Sequence, residues 1–156
     1  MPHSEFLAAA IDEARRGMRA NLGGPFGAVV VKDGQIVGRG CNQVTSTNDP
    51  TAHAEVIAIR DACRHLSTFS LAGCEIYASC EPCPMCLAAI YWARIERVYY
   101  GCGGSDAAAI EFDDDFIRRQ FTIPPEQRSV PLVPMCRDEA LVLFDEWRAK
   151  PDKVRY

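Results

Sequence analysis

The chain has 156 residues, 48% of them apolar and 24% charged, with 17 Lys and Arg against 21 Asp and Glu for a net charge of −4. That length suits one domain with its own core, the composition is that of a soluble globular protein, and the acidic balance counts against a nucleic-acid binder. No apolar run nears the ~20 residues of a membrane span, and the polar start followed by Asp12, Glu13, Arg15 and Arg16 is unlike a secretory leader, so a cytoplasmic location is expected.

In chain order, Phe6, Leu7, Ala10, Ile11, Ala14 and Met18 recur at helical spacing, with Ser4 placed to cap the helix and Gly23–Gly24 to end it. "PFGAVVV" and "IVGRGC" flank Asp33–Gly34, which reads as a β-hairpin, and "NQVTSTNDP" reads as a polar loop. "TAHAEVIAIRDAC" is a second helix with Val56, Ile59, Ala62 and Cys63 on one face. "CEIYA" is a short strand, Pro84 opens the helix continued by "MCLAAIYWA", and "RVYYG" is another strand. "SDAAAI" makes a helical turn, and "FDDDFIRRQF" a loop and short helix. "SVPLVPM" supplies a fifth strand, confined to an edge by Pro131 and Pro134. "DEALVLFDEWRAK" is a last helix with Leu141, Phe144 and Trp147 or Arg148 at its face. Strands alternating with helices after the hairpin predict a three-layer α/β fold around a mixed sheet. With no repeat and no linker, residues 1–156 read as one domain.

Eight cysteines in a chain whose start is unlike a leader point to reduced thiols, some of them metal ligands, rather than to disulfides. Cys83 and Cys86 lie at positions i and i+3 at the start of a helix, on one face, where the positive helix end favours thiolates. His53 opens the preceding helix. One His and two Cys make three zinc ligands, which leaves the fourth position of a tetrahedral ion for water and marks a catalytic site. Glu55, two residues after His53, is placed to take a proton from that water and pass it on. The pair His53-Ala54-Glu55 and Pro82-Cys83-Pro84-Met85-Cys86 matches the H-x-E and P-C-x-x-C signature of zinc-dependent nucleobase deaminases. Taken alone, a C-x-x-C pair also fits half of a structural zinc site or a redox pair. Cys80 as a fourth ligand would close the site, and its place at a strand end favours a buried thiol instead. Cys41, Cys63, Cys74, Cys102 and Cys136 have no partner spacing and read as small apolar residues.

With these motifs the sequence resembles the cytidine deaminase-like superfamily and, within it, the small bacterial guanine deaminases. The resemblance spans nearly the whole chain and includes "GGPFGAVVVKDG", "CNQVTSTNDPTAHAEV", "SCEPCPMCLAAIYWAR", "EFDDDF" and the terminal tyrosine. It implies an α/β/α sandwich around a mixed five-stranded sheet, one zinc ion held at two helix N-termini, and hydrolysis of guanine to xanthine and ammonia. It further implies a homodimer in which a C-terminal segment, about residues 137–156, is exchanged between subunits. By position, Asn42 offers the purine a donor and an acceptor, Phe26 and Trp92 flank the ring, and the Ala54 backbone contacts the base. Asp114 binds the substrate edge and assists proton transfer, and Tyr156 closes the neighbouring subunit's pocket. Glu111, where the family tends to have Gly, and the third acid Asp115 depart from the pattern in the loop that reads the substrate, and Ala88 stands where Gly is common.

Each of these positions has a plainer reading. Phe26 fits a core strand, Asn42 a turn, Asp113 to Asp115 a solvated face, and a terminal tyrosine a loose end. Three other functions share part of the pattern: a tRNA adenosine deaminase, a small-molecule deaminase acting on guanosine, cytosine or an aminotriazine, and a non-catalytic zinc module. The acidic charge opposes the first, and Glu55 with the three-ligand count opposes the last.

Overall fold

The structure, a computed structural model, describes residues 2–156. Its elements are α1 (Pro2–Arg19), β1 (Gly27–Lys32), β2 (Gln35–Cys41), α2 (Val44–Thr47), α3 (Ala54–Leu66), β3 (Cys74–Cys80), α4 (Pro84–Trp92), β4 (Arg97–Cys102), α5 (Gly104–Ala108), α6 (Asp115–Thr122) and α7 (Arg137–Ala149), with a 3-10 turn at Pro125–Gln127. The chain forms two compact units, Met1–Asp115 and Phe116–Tyr156.

In the first unit the sheet order is β2-β1-β3-β4. β1 pairs antiparallel with β2 and β3, while β3 pairs parallel with β4. The β1–β2 turn is the one the sequence marks: Lys32 pairs with Gln35, and Asp33 and Gly34 both have positive φ, 49° and 75°, as a two-residue type I′ turn requires. The parallel β3–β4 pair needs a crossover, and α4 supplies it.

Side chains alternate across the strands and separate two layers of packing. Val29 and Val31 of β1 and Tyr77 of β3 pack with Ala10 of α1. Ala28, Val30, Ile76 and Ala78 face the other way, onto Ala54, Ala58 and Ala62 of α3 and Ile90 of α4. The result is helix, sheet, helix. Alternating glycines on β2 bring α3 close. A Cβ on Gly38 would stand 2.5 Å from the Ala58 carbonyl, and one on Gly40 would stand 2.3 Å from that of Ala54. Helix and strand therefore meet backbone to backbone, which fixes the start of α3 against the sheet.

That contact also corrects the expected buried face of α3. Ala54, Ala58 and Ala62, the small residues that fit over the β2 glycines, are buried, as is Glu55; of the other expected positions Val56 is half-buried, and Ile59 and Cys63 are half-buried against the same core. The described residues hold four strands, not five: the "SVPLVPM" segment has no ladder, and Pro131 and Pro134 lack the N–H one would use. Ser4 lies inside α1 rather than capping it, and α1 ends before Gly23, where Asn21 takes the left-handed conformation at φ 55°. The expected polar loop after β2 contains the short helix α2. No helix among the described residues is long and apolar enough to cross a membrane.

In the second unit the Arg128 guanidinium lies over the Phe121 ring, 5.9 Å from its centroid, and the Gln120 side chain accepts from the Ser129 N–H at 2.8 Å. Its α7 exposes Val142, Leu143, Phe144 and Trp147.

Candidate active site

Two helix starts converge behind the sheet. His53 is the N-cap of α3 and Cys83 the N-cap of α4, both extended, with Pro84 fixing the first turn of α4. That turn carries Cys86 onto the same face as Cys83. The His53 Nδ1 atom is 3.5 Å from the Sγ of Cys83 and 3.5 Å from that of Cys86. All three ligand atoms lie within 4.8 Å of one another.

These distances test the fit to zinc. Tetrahedral zinc with Zn–N of about 2.05 Å and Zn–S of about 2.3 Å sets its nitrogen and sulfur ligands about 3.5–3.6 Å apart. The structure meets that spacing for both sulfurs. The donor set, one imidazole and two thiolates, is also the soft set that zinc takes.

The electrostatics agree. Cys83 is held well below the usual thiol range, first because the Cys86 thiol donates a hydrogen bond to it, against the effect of burial, and further by His53 and the Cys86 backbone N–H. Cys86, as the donor of that bond, is pushed upward, with burial and the neighbouring Glu55 adding to the effect. His53 is raised, chiefly by its hydrogen bond to Cys83. Glu55 is buried next to Cys86, and its carboxyl is raised chiefly by that burial, with its own backbone N–H and Cys86 pulling the other way. A carboxyl shifted in this direction takes up a proton more readily than an exposed one.

The other expected residues have these surroundings. Ala54, the first residue of α3, is buried between His53 and Glu55. Phe26 is half-buried, packs on the α3 side of the core and meets the Phe112 ring edge-on, with centroids 4.9 Å apart at 87°. Asn42 is buried and donates its backbone N–H to the Phe26 carbonyl at 3.0 Å. Its Oδ1 accepts from Gly24 N at 3.2 Å and Val44 N at 3.1 Å. Both lone pairs are engaged, so the expected donor-plus-acceptor role narrows to a donor, Nδ2. Trp92 ends α4 and is exposed. Asp114 is half-buried. Its Oδ1 and the Glu81 Oε2 lie 4.0 and 3.6 Å from where a Cβ on Gly104 would stand, and Glu81 accepts the Gly104 N–H at 3.1 Å. Tyr156, in the second unit, is exposed.

Cys80 stays outside the metal group. It is half-buried, donates weakly to the Gly103 carbonyl at 3.8 Å, and burial pushes it up to about 11. Cys41 and Cys74 are buried and Cys63 half-buried, but Cys102 and Cys136 are exposed, so reading those two as apolar filler is corrected. Sequence reasoning missed Glu81 as a support for the Gly104 loop. Its only signal was an acid between Cys80 and Pro82. It also gave Phe112 no role, although the aromatic ends of "FDDDF" were the available sign.

Residues 1–102 match the cytidine and deoxycytidylate deaminase zinc-binding region. The chain belongs to this zinc-binding deaminase family. It is 50% identical to the guanine deaminase of Bacillus subtilis (strain 168) over 156 residues, 100% of both chains. An X-ray structure of guanine deaminase from Bacillus subtilis superposes with a TM-score of 0.96, covering 100% of this chain and 99% of that one. The tRNA-specific adenosine deaminase of Aquifex aeolicus (strain VF5) is 46% identical over 95 residues, 61% of this chain and 62% of its own length. The protein is therefore a deaminase with zinc as its cofactor, and His53, Cys83 and Cys86 make up its ligand group.

Proposed function

We propose that this deaminase hydrolyses guanine to xanthine and ammonia. One observation carries the reading. The match to the Bacillus subtilis guanine deaminase runs through all 156 residues, whereas the tRNA-specific adenosine deaminases of Aquifex aeolicus and Agrobacterium fabrum match over 95 and 109. The zinc region ends at residue 102, so the fully matched remainder holds Asp114 and Tyr156, the two positions proposed to read the substrate.

Zinc, when bound, acts as a Lewis acid that makes water a nucleophile near neutral pH. The residues do the rest. Glu55 takes one proton from water and delivers it to the ring nitrogen beside C2 as the water oxygen bonds to C2; it then takes the second proton from that oxygen and passes it to the exocyclic amine, which leaves as ammonia as the C2–N bond breaks. Burial suits it to the first half of the cycle by raising its proton affinity. Asp114 holds the substrate edge and assists this delivery. Asn42 donates from Nδ2, its Oδ1 being already committed to the backbone. The Ala54 backbone contacts the base, and Phe26 and Trp92 flank its ring.

The whole chain, residues 1–156, acts as one deaminase domain in a homodimer. In this arrangement the segment of about residues 137–156 crosses to the neighbour, and Tyr156 closes the neighbour's pocket. The apolar face exposed along α7 supports such a crossing. The cytoplasm, which keeps thiols reduced, suits a site built on two thiolates.

The test supplies zinc-loaded protein with guanine, guanosine, adenine and cytosine separately and measures ammonia. Guanine is expected to release it. Release from guanosine, adenine or cytosine with none from guanine overturns the proposal.

A further inference from the structure

Two cysteines outside the metal site stand side by side. Cys80 ends β3, Cys102 ends β4, and they are register partners in the parallel ladder. Paired strands lie about 4.7–4.9 Å apart, inside the Cα separation of about 4.4–6.8 Å that a disulfide spans. Both side chains lie on one face of the sheet. Ile76 and Ala78 of β3 and Val98 of β4 face the α3 side, and the period of two carries Cys80 and Cys102 to that side as well. The strands are held together at this point, with Glu81 N–H donating to the Cys102 carbonyl at 2.8 Å. The Cys80 thiol already leans across toward the end of β4, where it meets the Gly103 carbonyl at 3.8 Å.

We propose that Cys80 and Cys102 form a reversible disulfide when the protein meets hydrogen peroxide, a modification site separate from the metal thiolates. Exposure decides the order. Cys102 is open to solvent, while Cys80 is half-buried and keeps its proton at neutral pH. The Cys102 sulfur attacks one peroxide oxygen, the O–O bond breaks, and Cys102 becomes a sulfenic acid as the first water forms. The Cys80 sulfur then attacks the Cys102 sulfur, the S–O bond breaks, and a second water leaves with the Cys80 proton. Two thiols lose two electrons and two protons, and one peroxide becomes two waters. On oxidation Cys80 gives up its contact with Gly103, the residue before the Gly104 turn that Glu81 supports.

The test uses the zinc-loaded full chain, treated with equimolar peroxide, alkylated and digested with trypsin. The expected product joins the peptide holding Cys80 to the one holding Cys102, lighter than their sum by two hydrogens apart from the alkyl groups and separated again by dithiothreitol, with fragmentation placing the link at Cys80 and the alkyl groups at Cys74, Cys83 and Cys86 of the same peptide. Cys102→Ser is expected to abolish the link and to keep zinc and untreated activity. Cys80→Ser is expected to leave a Cys102 sulfenic acid that dimedone traps. Over-oxidation of Cys102 without a link, a covalent dimer through Cys102, or thiol loss confined to Cys83 and Cys86 with zinc release would each overturn the proposal. The link is read without substrate, so it stands or falls independently of guanine.

Discussion

Met1–Asp115 and Phe116–Tyr156 treat their apolar side chains differently. Among the described residues every buried apolar side chain belongs to the first unit, and the last of them along the chain is Ile95. In the second, Phe116, Phe121, Leu132, Phe144 and Tyr156 are all exposed, Phe144 at 67%. A stretch of helices that keeps this much apolar surface in the open is built to be covered. The first unit, by contrast, has its own core and a complete set of metal ligands. The metal ligands and Glu55 belong to the first unit, and Tyr156, proposed to close a pocket, belongs to the second. Changes at the metal ligands and Glu55 should therefore abolish reaction, and changes in the second unit should alter substrate handling alone.

The largest effect is expected from the metal group. Cys83→Ala removes a ligand that its neighbours already hold as a thiolate. Zinc content and ammonia release should both fall to background, as they should when a chelator strips the wild-type protein, with activity returning when zinc is restored. A Cys83→Ala protein that keeps its zinc would break the assignment of this unit. Next in size is Glu55→Gln, which keeps the shape and removes the proton carrier. Turnover should drop about 10²–10⁴-fold while zinc content holds. The melting temperature should not fall, because burial already disfavours the Glu55 charge. A fall in zinc content alongside turnover would make Glu55 a structural part of the metal site instead.

How far the sequence foretold this division depends on the range of the interaction. His53, Glu55, Cys83 and Cys86 were readable because each pair is local, and a helix start converts local spacing into direction. The hairpin was readable because Asp33–Gly34 demands a single turn geometry. Of the expected α3 face, Ala62 is buried and Ile59 and Cys63 pack against the core; Ala54 and Ala58 were passed over because an alanine every fourth residue gains its meaning only from Gly38 and Gly40 on another element. The fifth strand failed for a local reason: "SVPLVPM" has strand-like composition, but its prolines cannot donate to a ladder. The pairing of Cys80 with Cys102 needed the register of β3 against β4.

A smaller effect, still in the first unit, is expected at Asn42. Its Oδ1 accepts from Gly24 N and Val44 N, so Asn42→Ala strands two backbone donors. Stability should fall by about 1–3 kcal/mol per donor left without a partner, and thermal or urea unfolding measures it. Asn42→Asp supplies acceptors but no Nδ2 donor. It should recover much of the stability while leaving guanine binding weak, which separates the two roles of this residue.

The smallest effect is the one that tests the second unit. Tyr156→Phe removes a single hydroxyl, and one hydrogen bond contributes about 0.5–1.5 kcal/mol, so kcat/KM for guanine should fall by up to about tenfold. Zinc content and melting temperature should stay where they are, since Tyr156 lies outside the unit that holds the core. The size of that loss does not say which subunit's pocket the tyrosine closes, but a mixed dimer does. Pairing a Glu55→Gln chain with a Tyr156→Phe chain leaves one pocket with an intact Glu55. If Tyr156 closes the neighbour's pocket, the Glu55→Gln chain supplies it, and that pocket works at the wild-type rate, half of the dimer's total. If Tyr156 closes its own, the same pocket lacks the terminal hydroxyl and runs at the reduced rate of the Tyr156→Phe variant. The second result would make the terminal residues part of their own subunit's site, and the apolar face of α7 would then need a different cover.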